Sequence, residues 1–188
     1  MTRDELEHAI RAACDVANED AVIVFGSQAI LGKHPHASER LRQSMEVDIA
    51  PRSNDPGVAD LIDGALGEYS PFHTTHGFYV HGLTIESALL PHGWERRTVP
   101  VDGGGAGGGV GRCLEAHDLA ASKLAAFREK DRDFVRTLLA EGLVNARKLR
   151  LRIAQLPPAG VPAETLLRWL DATVWEIYPK RGAGEGDG

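Results

Sequence analysis

The sequence has little cysteine, no long apolar run and no excess of positive charge. Its two cysteines, Cys14 and Cys113, lack metal-type spacing, and two isolated thiols indicate a reducing interior, the cytoplasm. No apolar run approaches the roughly 20 residues a membrane helix needs, so no membrane partner is expected. The amino-terminal MTRDELEHAI is charged and amphipathic, without the apolar centre of a signal peptide. A net charge of −6 means that any nucleic acid must be met by a local basic patch. There is no internal repeat. What is present is ordinary for a globular chain: 188 residues, 43% hydrophobic, suffice for one domain or for a core with a small appendage.

Asp4 to Ala17 reads as a helix, with Leu6, Ala9, Ile10, Ala13 and Ala17 at helical spacing. AVIVF (21–25) is short and β-branched, a buried strand. It stops at Gly26-Ser27, where a short helical segment can begin, and GKHPHASERLRQS (32–44) then reads as a mobile loop. MEVDIAP (45–51) alternates apolar and acidic residues, a strand ended by Pro51. Asp55-Pro56 opens a helix with an N-cap and a first-turn proline. Two further strands are expected within HGFYVHGLTIESALL and ERRTVPV. Gly-rich DGGGAGGGVG separates them from a helical final third, with segments near 115–128, 130–140, 145–156 and 162–178 and start signals at Asp118, Asn145 and Pro162. The end, KRGAGEGDG, reads as a disordered tail.

Chemistry concentrates at two places. In Glu46-Val47-Asp48 the acids, two apart on a strand, share a face, while Met45, Val47 and Ile49 point to the other. Adjacent carboxylates repel unless a cation or strong donors neutralise them. Such a pair is a natural clamp for Mg²⁺, or else a half-exposed edge with solvated acids. At the Gly26-Ser27 corner the glycine admits a phosphate close to the backbone, and the hydroxyl and following amides supply donors. Strand, Gly-Ser corner, helix, then a strand with acid-x-acid is an order suited to phosphoryl transfer from a nucleoside triphosphate.

VFGSQAI followed by EVDIAP resembles the signature of the polymerase-beta-like nucleotidyltransferase superfamily, over roughly residues 20–100. Here eighteen residues separate Ser27 from Glu46, longer than usual in that group, and Glu46 stands where Asp is commoner. A third strand carboxylate cannot be assigned; His81 and Glu86 lie in the strand where one would sit.

The segment EAHDLAASKLAAFREKDRDFV (115–135), projected at ~100° per residue, gathers Ala116, Leu119, Ala120, Leu124 and Phe127 in an arc of about 140°. Lys123 falls inside the arc, as does Asp131 if the helix continues; Arg128 and Glu129 fall outside. An ammonium in an inward stripe either pairs structurally with Asp131 or points at phosphates. This D-L-A-x-x-K-L…K-D pattern is similar to the later motifs of AbiEii-like (MenT-like) toxin nucleotidyltransferases. The resemblance implies a Mg²⁺-dependent enzyme, with Mn²⁺ an alternative ion, that transfers nucleotides to RNA, notably tRNA, or to protein, beside an antitoxin partner. Carried over residue by residue, it implies Glu46, Asp48, Lys123 and Asp131 as catalytic residues and Glu46 and Asp48 as metal ligands. Gly26, Ser27 and Lys123 would bind the nucleotide. Asp133 lies close to Asp131 and competes for its place.

Other signals carry less. GGGAGGGVG (103–111) lacks the Lys-Ser/Thr of a P-loop and reads as a connector. The histidines form no i, i+4 pair, although His34 or His36 can reach a nucleotide from the loop. The basic run ARKLRLR (146–152) is a solvated helix face or a grip on a nucleic-acid backbone. Trp169, Trp175 and Tyr178 read as core or as an oligomer contact. The expected architecture is α+β: a nucleotidyltransferase core of mixed sheet flanked by helices (1–112), a helical section completing the site (113–179) and a tail (180–188). A catalytically silent binding or regulatory module on the same fold is the alternative.

Overall fold

The structure, a computed structural model, describes residues 1–105 and 108–179; the tail expected over 180–188 lies outside the described residues. Thr2 starts α1 (Arg3–Ala17) with a capping box, its hydroxyl accepting from the Glu5 amide and the Glu5 carboxylate accepting from the Thr2 amide. Reciprocal caps of this kind stabilise a helix by about 1 kcal/mol. Among the described residues five strands form one mixed sheet: β1 (Ala21–Phe25), β2 (Glu46–Pro51), β3 (Tyr79–Gly82), β4 (Val99–Asp102) and β5 (Val110–Cys113), in the order β3-β2-β1-β5-β4. β1 runs antiparallel to β2 and parallel to β5, β2 parallel to β3, and β4 antiparallel to β5.

One face of the sheet carries Val22, Val24, Val47, Ile49 and Val80, all buried. On this face lie α1 and α2 (Pro56–Leu66). Gly111 and Gly82 mark the close approach: a Cβ on the first would overlap Ile10, and on the second the backbone of α2. By strand register the opposite face presents Phe25, Asp48 and His81 side by side, with Glu46 two residues along β2. After the sheet come α4 (Ala116–Ala126), α5 (Glu129–Ala140), α6 (Ala146–Ile153) and α7 (Ala163–Ile177). α4 packs on α5 and α6, and α7 closes against α5 and α6.

The expected α+β architecture stands, with differences in detail. A short helix, α3 (Pro71–His76), starts at Ser70-Pro71, which caps and opens it. β5 arises where only a connector was read and pairs antiparallel with β4, and beyond the ladder the Gly103 amide donates to the Gly109 carbonyl at 2.8 Å. The segment expected as a mobile loop is anchored: Ala37 and Leu41 are buried, and the Met1 ammonium donates to the Arg42 carbonyl at 2.6 Å. Asp118 does not start α4. Glu115 is its N-cap, and Asp118, fully buried, accepts from Arg97 at 2.7 Å and lies 3.0 Å from Arg152 Nε. Both cysteines are free and buried. Among the described residues no helix is long and apolar enough to cross a membrane.

Candidate active site

The antiparallel pairing of β1 and β2 sets Phe25 opposite Asp48 and brings the Gly26 corner against the Asp48 carboxylate. Gly26 has φ 74° and ψ −173°, a region that only glycine occupies readily, and a Cβ there would overlap the carboxylate. The corner is thus glycine for two independent reasons. On the other side, the parallel pairing of β2 and β3 puts His81 opposite Asp48. His81 Nδ1 lies 2.8 Å from Glu46 Oε1 and 3.6 Å from Asp48 Oδ1. Burial first, and then the neighbouring Glu46 carboxylate, push Asp48 up from 3.8 to about 6. Two acids and an imidazole each offer one donor atom, all within 4.8 Å of one another. This oxygen-rich, negative set fits a divalent cation.

Lys123 comes from α4 and Asp131 from α5, not from one continuous helix. Phe127, at φ 53°, ends α4, and Arg128 occupies the N-cap position of α5. The turn still delivers Asp131 to the lysine, with Lys123 Nζ 3.6 Å from Asp131 Oδ1. Arg128, expected among the solvated charges, donates from Nε to Asp131 Oδ2 at 2.6 Å. Asp131 is 1% exposed and Lys123 15%. Burial lowers the Lys123 pKa, while Asp131 and then Asp48 act to raise it. The influence of Asp48 ties the lysine electrostatically to the acid strand.

A cavity of about 560 Å³ opens over these groups, lined by Ser27, Glu46, Asp48, His81, Lys123 and Asp131 among others. Next to it a second cavity of about 350 Å³ shares Asp48, Lys123 and Arg128 and is walled by Gly26, Phe25, Leu89 and Leu119. The structure therefore brings together Gly26, Ser27, Glu46, Asp48, Lys123 and Asp131 around adjoining spaces. Asp133 also lines the larger cavity, but Asp131 alone of the two pairs with Lys123.

Sequence reasoning named His81 only by its place in the third strand, without tying it to the acids, and read Arg128 as a solvated charge. It also missed Arg40 and Ser44, which the long segment after the Gly-Ser corner contributes to the cavity wall. Glu86 is elsewhere, accepting from the Asn54 side chain at 2.8 Å. His34 and His36 do not line either cavity. In the basic run of α6, Lys148 pairs with Glu115, Arg150 with Asp171 and Arg152 with Asp118. Those cations are committed within the protein.

Residues 4–178 match the family described as nucleotidyltransferase of unknown function (DUF6036). No curated protein and no solved structure matches the chain.

Proposed function

The chain belongs to this family of nucleotidyltransferases, and from that premise we propose that it moves a nucleoside monophosphate from an NTP to an acceptor hydroxyl. The acceptor hydroxyl gives up its proton to solvent as its oxygen bonds to the α-phosphorus, the bond to the β-phosphate bridge breaks, and pyrophosphate leaves. One observation carries the reading: an acid pair, a small-residue corner and a buried lysine, from separate parts of the chain, face one cavity.

Glu46 and Asp48 hold the divalent cation, Mg²⁺ or Mn²⁺. When bound, the cation supplies charge neutralisation to the triphosphate. Ser27 donates to phosphate oxygens, and Gly26 lets the chain turn without displacing Asp48. Lys123 meets the negative charge that grows on the leaving phosphates, and Asp131 keeps its ammonium aimed and charged against the cost of burial. Groups fixed in place before the reaction and shielded from water act more strongly than they would in solvent.

The acceptor in this reading is RNA. Arg40 and Lys130 line the larger cavity and supply the local basic patch that an acidic chain needs to receive a polyanion. The likeness of the Lys123–Asp131 segment to the AbiEii-like toxins narrows this to tRNA, with an antitoxin as partner. Incubation with labelled NTPs and total RNA tests it. Label on tRNA from the wild type and none from Asp48→Ala supports the reading; no labelled product with any NTP contradicts it.

A further inference from the structure

His81 stands beside the acid pair. Its side chain is 41% exposed, on a short strand, with Nδ1 turned towards both acids at 2.8 and 3.6 Å. Neighbouring donors around an octahedral ion bound at ~2.1 Å lie about 3 Å apart. At 2.8 Å from Glu46 Oε1 and 3.6 Å from Asp48 Oδ1, the imidazole nitrogen stands near that spacing from both acids. A pair of carboxylates alone suits a hard ion such as Mg²⁺, which favours oxygen and sheds water reluctantly. An imidazole nitrogen in the set favours first-row transition ions, whose bonds to nitrogen strengthen along the series from Mn²⁺.

We infer that His81 Nδ1 is the third ligand of the cation site and turns the preference of that site from Mg²⁺ towards first-row transition ions. The inference rests on the metal-holding role of Glu46 and Asp48 in the reading above. It assigns His81 a selectivity function beyond the transfer chemistry.

Mn²⁺ bound to the full chain, followed by pulsed EPR, tests the ligand directly. The wild type should show nitrogen modulation from a coordinated imidazole, and His81→Gln and His81→Asp should bind Mn²⁺ without it. Because His81 is exposed, both variants are expected to fold; circular dichroism checks this. In competition titrations His81→Asp, with three carboxylates, should lower the Mn²⁺-over-Mg²⁺ affinity ratio roughly tenfold or more, the scale on which supporting residues tune metal sites. Bound Mn²⁺ without nitrogen modulation in the wild type, modulation that persists in His81→Gln, or an unchanged ratio overturns the inference. The first of these results alongside intact nucleotidyl transfer leaves the transferase reading standing. Nitrogen modulation in a protein that transfers nothing does the reverse.

Discussion

Lys123 Nζ stands 3.6 Å from Asp131 Oδ1 across the left-handed turn at Phe127, and Arg128 grips the same carboxylate from the solvent side at 2.6 Å. The two partners are not equivalent. Lys123 is mostly buried, whereas Arg128 is 60% exposed. Removing the carboxylate strands a buried ammonium; removing the guanidinium only loosens an exposed pair.

Asp131→Ala is therefore expected to cost about 3 kcal/mol in urea unfolding, the lower end for breaking a buried pair. Arg128→Ala should cost under about 1 kcal/mol. Equal losses for the two variants would contradict this division.

Asp48 makes the metal-free protein sensitive to pH in an unusual direction. Its carboxyl is raised in the folded state, from 3.8 to about 6, so folding favours the protonated form. Stability is then full below about pH 4 and declines as pH rises through about 6. The loss is on the order of 2–3 kcal/mol. In a chelating buffer at pH 7.5, Asp48→Asn should melt above the wild type, and the difference should vanish near pH 4. Added divalent cation should raise the wild-type melting temperature and leave that of the variant nearly unchanged. A less stable Asn variant at pH 7.5 would refute the electrostatic account of the acid pair.

At the corner, Gly26→Ala forces a side chain into the Asp48 carboxylate and into a strained backbone region. Transfer should fall roughly a hundredfold, the penalty for displacing a reacting group by about an ångström. Steady-state rates with saturating NTP measure it. Near-wild-type rates would show that the corner does not set the position of Asp48.

Glu115 gathers charges of its own at the N-terminal end of α4. Burial acts to raise its pKa, but the His117 hydrogen bonds and Lys148 outweigh it and hold the carboxyl well below the usual range. His117 Nε2 accepts from the Asn145 amide at 2.9 Å, so Nδ1 carries the proton donated to Glu115. This stabilisation is present above about pH 4.5, the ordinary value, and is lost as pH falls further below it. Glu115→Gln should destabilise by about 1–3 kcal/mol at neutral pH, with the gap to the wild type closing in acid. A pH-independent gap would count against the ion-pair explanation.

Local rules made β1, β2, the corner and the shared face of Glu46 and Asp48 legible, because period-two alternation and a Gly-Ser stop act within a few residues. His81 was not legible as a partner of the acids. A lone histidine has no spacing signature, and its place depends on the parallel register of β2 with β3, more than thirty residues away along the chain. β5 escaped for a similar reason: VGRC is four residues long, and it is a strand because β1 pairs with it on one side and β4 on the other. The break between α4 and α5 falls where separate segments were read near 115–128 and 130–140, although neither proline nor glycine marks it: Phe127 itself adopts the left-handed turn. The helical projection placed Lys123 and Asp131 inward for partly the wrong reason: they meet across a turn.

The central claim is tested most directly by following α-labelled NTPs onto RNA with the wild-type chain and with Asp48→Ala, each shown to be folded, in the presence of divalent cation. Label on RNA with the wild type, released pyrophosphate in equal amount and neither with the variant is the predicted result. Transfer by Asp48→Ala at the wild-type rate would contradict it.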